Sequence, residues 1–183
     1  SAPKIITTGQ GGALVTDSDV LAERIRRIRD FGRSQSGVDF HEAIGYNFKF
    51  TDLQAVIGIE QMKKLVWRVQ RKKEMFSLYC SLLRNVEQVR FLPTDLDQVP
   101  PWFIDILVPD PLALKRHLGE KGIGSRPFYP AIHSQPAYCQ PGSYPCAERA
   151  AAHGIWLPSS SFLSDEQITL ICDEIKQYYI ATP

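Results

Sequence analysis

Residues 102–126, WFIDILVPDPLALKRHLGEKGIGSR, alternate strand and helix signals and so decide the fold class. Apolar side chains flank Asp105 across Trp102 to Val108, the two-residue period of a half-buried strand. Asp110 can accept from the first free amides of a helix, and Pro111 has the fixed φ that suits a first helical position. Leu114 and Leu118 then share a helical face, Gly122 ends the helix, and residues 123–126 can return as a strand. Next comes FYPAIHSQPAYCQPGSYP (128–145), a loop rich in proline and aromatic residues, of the kind that lines sites. The order then continues with a short helix near 146–153, a strand at 155–158, and a helix opened by the capping box Ser164-Asp165-Glu166-Gln167. Ile168, Ile171, Ile175 and Tyr179 form the stripe this last helix should bury. Such alternation predicts an α/β layer, helices packed on a small sheet.

Working back toward the amino terminus, PTDLDQVPP (93–101) reads as a linker, and a domain boundary is expected near 88–100, between domains of residues 1–87 and 88–183. Thr51-Asp52-Leu53-Gln54 is a second capping box. Beyond it, Leu53, Val56, Ile57, Met62, Leu65, Val66 and Val69 give an apolar face that continues through Phe76, Leu82 and Leu83 without proline, so one long connecting helix is expected. Residues 33–50 read as a surface loop, more aromatic at its GYNFKF end. Leu21, Ile25, Ile28 and Phe31 recur at helical spacing after a cap at Thr16 or Asp17, and Gly32 stops that helix. The β-branched and apolar runs IITT (5–8) and ALVT (13–16) flank Gly9-Gln10-Gly11-Gly12 and predict a buried hairpin.

Composition narrows the partners. Lys and Arg number 21 against 20 Asp and Glu, which supplies no field strong enough to recruit nucleic acid or an anionic membrane. The run MKKLVWRVQRKK (62–73) is accordingly read as solvated helix charge. Cys80, Cys139, Cys146 and Cys172 show no CxxC pair and are expected to be reduced thiols. No apolar run approaches the roughly 18 residues that cross a bilayer, and no secretory pattern opens the chain, so a cytoplasmic location is expected. His41, His117 and His153 lack metal-ligand spacing, and no metal is expected.

Lys4 is the first residue with a chemical reading. It directly precedes Ile5-Ile6-Thr7-Thr8. At the mouth of a strand that excludes water its amine would be held neutral, the form that attacks an aldehyde. GQGG (9–12) reads as a turn rather than a phosphate cradle, since no helix amino terminus follows it.

Three strings, SAPKIITTGQGGALVTD, IGYNFKFTDLQAVIGIEQMKKL and GIGSRPFYPAIHSQPAY, occur in an order that resembles the DegT/DnrJ/EryC1/StrS family of sugar aminotransferases related to perosamine synthase, and the likeness runs essentially from Ser1 to Tyr179. The resemblance implies an aspartate-aminotransferase-like α/β fold (fold type I), here the end of the large domain plus the small carboxy-terminal domain. It implies pyridoxal 5'-phosphate as cofactor, L-glutamate as amino donor, a nucleotide-linked 4-keto-6-deoxy or 3-keto sugar as acceptor, and a homodimer with shared active sites. Lys4 matches the lysine that bonds the cofactor aldehyde and then carries the proton. Its presence favours amination over dehydration, for which relatives place a histidine there. Asn47 matches the residue that reaches the cofactor phosphate across the dimer. Lys49 stands where many relatives have an arginine for the substrate phosphates, keeping the charge without the bidentate fork. Arg126 and His133 match polar positions near the sugar.

Family members are roughly twice this length, so the chain is expected to be a carboxy-terminal piece of a larger enzyme. Its other expected state is a non-catalytic half that serves only folding or dimerisation. Surface-polysaccharide or O-antigen amino-sugar synthesis is the role the resemblance implies.

Overall fold

The computed structural model describes residues 4–139 and 141–181. The chain divides into two compact units, one ending at Leu65 and the other beginning at Val66.

In the first unit, helix α1 (Asp19–Arg29) starts at Ser18, whose hydroxyl accepts from the Leu21 amide. Helix α2 (Asp52–Met62) starts at the expected capping box: the Gln54 amide donates to Thr51 Oγ1 at 3.3 Å, and the Thr51 amide donates to Gln54 Oε1 at 3.1 Å. The expected hairpin does not form. Residues 5–8 and 13–16 carry no strand, and Leu14 and Val15 are 76% and 97% exposed. β-branched residues favour a strand only where a neighbouring strand and a buried face receive them, and neither stands beside these runs.

The long helix is also interrupted. Helix α3 (Leu65–Leu83) is separate from α2, because the Lys64 amide bonds the Gln61 carbonyl, a tight three-residue turn that breaks the helical ladder without proline or glycine. The apolar face of α3, with Met75, Phe76, Tyr79 and Leu83, belongs to the core of the second unit. The units therefore part upstream of the 88–100 linker, where composition alone had placed a boundary.

The second unit follows the predicted order. Strands β1 (Arg90–Phe91), β2 (Ile104–Leu107), β3 (Arg126–Pro127) and β4 (Gly154–Leu157) form an antiparallel sheet ordered β1-β2-β4-β3. Helices α4 (Pro111–Glu120), α5 (Pro145–His153) and α6 (Asp165–Ala181) complete it. Asp110 caps α4 through the Leu112 and Ala113 amides, and Gly122 ends the turn after it at φ +73°. Ser164 and Gln167 form the capping box of α6. Ile104, Ile106, Ile155 and Leu157 lie on the sheet face that meets α3, α4 and α6, packing with Leu114, Leu118, Ile168, Ile171, Cys172 and Ile175. Tyr179 is only half-buried, and Cys172 takes its place in the stripe. Gly154 is required by space: a Cβ there would sit 2.3 Å from the Phe128 ring.

The run read as solvated charge is not uniformly so. Lys72 is buried, and its Nζ donates to the carbonyls of Trp102, at 2.9 Å, and Ser159. Arg71 bonds the Leu163 carbonyl and pairs with Asp165 at 2.8 Å. Together with the Tyr79 hydroxyl, which donates to the Pro158 carbonyl, α3 holds the loop after β4 by its backbone oxygens.

Candidate active site

The candidate residues fall in both units: Lys4, Asn47 and Lys49 in the first, Arg126 and His133 in the second. In the first unit, the GYNFKF segment is built on the carboxy end of α1. Free carbonyls there accept from it, Tyr46 N–H to Ile28 O at 2.7 Å and Phe48 N–H to Arg29 O at 3.0 Å. Asp30 and Asn47 pair as an isolated antiparallel bridge. The loop closes tightly at Gly32, with φ +78°, where a Cβ would lie 1.7 Å from the Ala43 carbonyl oxygen. That approach explains why glycine both stops the helix and admits the returning chain.

This scaffold leaves the Asn47 side chain exposed with no hydrogen bond among the described residues. Lys49 is differently placed. Its Nζ lies 3.1 Å from Asp30 Oδ1 and 4.8 Å from the centre of the Phe31 ring. Arg33 shares the same carboxylate at 2.6 Å and reaches Asp39 at 2.9 Å. The Arg33 and Lys49 cations hold the Asp30 carboxyl below its usual value. Lys49 thus sits in a local ion-pair network, and Asp30, which the sequence reading passed over, sets its position.

Lys4 is exposed. The water-excluding strand expected around it is not supplied by the first unit. The segment following it is tied to α2, where Gln54 Nε2 donates to the Gln10 carbonyl at 2.9 Å and Gly58 leaves room for the Thr8 methyl.

In the second unit, Arg126 stands on β3 opposite Trp156 of β4, which pairs on its other side with Asp105 of β2. Trp102, Phe103, Trp156 and Phe128 stack successively with ring centres 4.4, 4.7 and 5.1 Å apart. The Arg126 guanidinium lies over this surface, 4.8 Å from the Tyr129 ring and 5.7 Å from Trp156. It makes no ion pair among the described residues, so its donor edge is available to an anion. Burial raises the Asp105 carboxyl, although a hydrogen bond from Trp156 opposes the shift. His133 occupies a 3-10 turn, Ile132–Ser134, with Nε2 3.2 Å from Glu148 Oε1 and its ring 4.7 Å from that of Tyr144. Glu148 was missed in the sequence, though Pro145 at a helix start places a glutamate three residues on within reach of the capping amide.

Among the described residues no cluster of His, Cys, Asp and Glu is arranged to hold a metal ion, and no helix is long and apolar enough to cross a membrane.

Each unit thus carries candidate residues, and the chain as a whole has counterparts among solved aminotransferases. The aminotransferase TlmJ from Streptoalloteichus hindustanus superposes with a TM-score of 0.86 at 29% identity, over 97% of this chain and 50% of that one. The family model of the DegT/DnrJ/EryC1/StrS aminotransferases matches residues 1–176, and the chain belongs to that family. The GDP-perosamine synthase of Escherichia coli O157:H7 is 32% identical over 180 residues, 96% of this chain and 49% of the relative. The dTDP-3-amino-3,4,6-trideoxy-alpha-D-glucose transaminase of Streptomyces venezuelae is 29% identical over 176 residues, 93% of this chain and 46% of the relative. The chain spans about half the length of the curated relatives it matches.

Proposed function

We propose that this chain supplies the lysine-bearing, carboxy-terminal part of a cytoplasmic transferase that aminates a nucleotide-linked keto-sugar, with L-glutamate as donor. One observation carries the reading: the family match runs through residues 1–176 with a lysine, rather than a histidine, at position 4. The first unit is then the end of the cofactor-binding large domain, and the sheet-bearing unit is the small domain.

Pyridoxal phosphate, when bound, supplies the electron sink that lets an amino group move between two carbonyl compounds. Two groups of the first unit suit it. The Lys4 amine is exposed and can reach an aldehyde, and the exposed Asn47 amide, without a hydrogen-bond partner among the described residues, can donate to a phosphate oxygen. With the cofactor bound, Lys4 Nζ would be the group that takes a proton from the substrate carbon and returns it. Lys49 gives positive charge for the substrate phosphates, and Arg126 and His133 give polar contacts near the sugar. Relatives named for GDP- and dTDP-sugars leave the nucleotide, and the choice of the C3 or C4 carbon, to be fixed by experiment.

A homodimer is part of the same proposal. Leu53, Val56 and Ile59 on α2 are 81%, 60% and 59% exposed, an apolar face that a second copy would cover. The observation favouring a second reading, a non-catalytic half, is that Lys4 is exposed and lacks, in the first unit, the water-excluding strand expected around it.

The spectrum with added pyridoxal phosphate decides between them. For the transferase, a band near about 410–420 nm forms, is lost in Lys4→Ala, and moves to shorter wavelength on adding glutamate. No band, with intact mass confirming all 183 residues, assigns the chain to the non-catalytic reading.

A further inference from the structure

We propose that Tyr129 and Arg126 form a subsite for a nucleoside diphosphate, the ring stacking on the base and the guanidinium pairing with the phosphates; this deepens the reading of the substrate as a nucleotide-linked sugar and rests on it. Trp156 alternates with the buried Ile155 and Leu157 along β4, so its side chain lies on the sheet face opposite the core. Arg126 shares that face through its register with Trp156. Of the rings gathered there Tyr129 is the most exposed, at 53%, and it stands 4.9 Å from Trp156 at an interplanar angle of 72°. The face is set before any ligand arrives. The Phe128 amide donates to the Gly154 carbonyl at 2.9 Å, which carries the β3–β4 pairing one residue past Pro127 and anchors the chain at Tyr129. Rings held in this way lose little freedom on binding.

Charge decides the occupant. An apolar partner would take the Arg126 guanidinium out of water with no counter-ion, a large cost for a charge that has no ion pair among the described residues. A base joined to a diphosphate instead offers a π face and anionic oxygens in one molecule. The guanidinium lies 4.8 Å from the centre of the Tyr129 ring, so ring and cation fall within the span of one nucleotide. Arg126 then meets the phosphate that joins the sugar, which agrees with a polar contact near the sugar. Stacking uses the face that every base has and reads no edge, so this pair accepts purine and pyrimidine alike.

The test titrates the 183-residue chain, without cofactor, with UDP, GDP and inorganic pyrophosphate, followed by calorimetry and by NMR of the base protons. UDP and GDP should bind within about threefold of each other, with base protons moved upfield. Tyr129→Leu should weaken both by about tenfold, whereas Tyr129→Phe keeps the ring and the affinity. Arg126→Gln should weaken UDP and flatten the salt dependence of its binding. Base protons that do not move in the wild type overturn the proposal. So does pyrophosphate binding as tightly as UDP, since only an anion site would then remain, or UDP binding unchanged in Tyr129→Leu or Arg126→Gln. Circular dichroism follows the fold of each variant, and the wild-type comparison of UDP with pyrophosphate decides even if the leucine variant fails to fold. A chain that binds UDP but forms no Lys4 absorbance band keeps the subsite and loses the transferase reading; a band without UDP binding does the reverse.

Discussion

The two units of this chain are held together by different forces. In the second lie all the buried hydrophobic core residues among those described, between Met75 and Ile175, in one core shared by a sheet and three helices. In the first, Gly32 is the sole buried residue among those described, while Leu14, Leu53 and Ile59 stand in water. Backbone bonds between α1 and the GYNFKF segment, the ion pairs around Asp30 and the cap at Thr51 order that unit. Each such bond contributes only about 0.5–1.5 kcal/mol net. The lesson is that one half carries its own stability, and the half bearing Lys4 has local order with an apolar surface still to be covered.

The sharpest way to break that contrast is to cut a methylene-rich side chain from each unit. Ile106 has no exposed surface, and Ile106→Ala should lower the stability of the second unit by about 2–5 kcal/mol in a urea titration. Val56 is 60% exposed, and Val56→Ala should leave the same transition unmoved. A large effect at Val56 in the isolated chain would show that the first unit shares the cooperative core, and the comparison would fail.

Lys72 gives a smaller effect with a definite sign. Burial lowers its ammonium from 10.5 to about 8, while its carbonyl partners favour the charged form. Between those values the unfolded chain binds a proton there and the folded chain does not, so stability from this residue rises with pH. Relative to Lys72→Met, the wild type should gain about 2 kcal/mol from pH 8 to 10.5, by urea titrations at each pH. The subtraction matters. Burial pushes the Cys80 and Cys172 thiols up to about 11 and about 12, so they stay neutral in the fold while ionising in the unfolded chain. Their contribution falls with rising pH and cancels between wild type and variant. A difference that stays flat would place Lys72 in water rather than in the core.

How far the sequence disclosed all this follows the same division. Asp110-Pro111, Gly122 and the Ser164 box are local signals whose chemistry is complete within four residues, and the structure uses them as read. The IITT and ALVT runs carried an equally strong local signal but needed a strand partner that sequence spacing does not reveal. Lys72 looked like one cation among many, since only the arrival of the Trp102 and Ser159 carbonyls, 30 and 87 residues away, makes it internal. At the candidate site, Lys4, Asn47 and Arg126 were singled out through the family strings and stand as proposals. Asp30 and Glu148 were not, because a positioning carboxylate is defined by what it touches: Lys49 for the one, His133 for the other.

The smallest effect tests whether local order in the first unit is coupled to anything beyond itself. Asp110 and Thr51 do the same work, each accepting from the first amides of a helix, at 2.9 and 3.3 Å. Removal of such a cap costs about 1 kcal/mol of helix stability. On α4, which buries Leu114 and Leu118 in the core, that cost must be borne by the whole unit, so Asp110→Ala should shift the cooperative urea midpoint. On α2, which buries nothing, Thr51→Ala should reduce helical ellipticity before the transition and leave the midpoint where it was. Equal shifts from the two alanines would mean that α2 unfolds with the sheet. In a homodimer the Thr51 variant should acquire a midpoint shift that grows with protein concentration, because the face it loosens would then be buried.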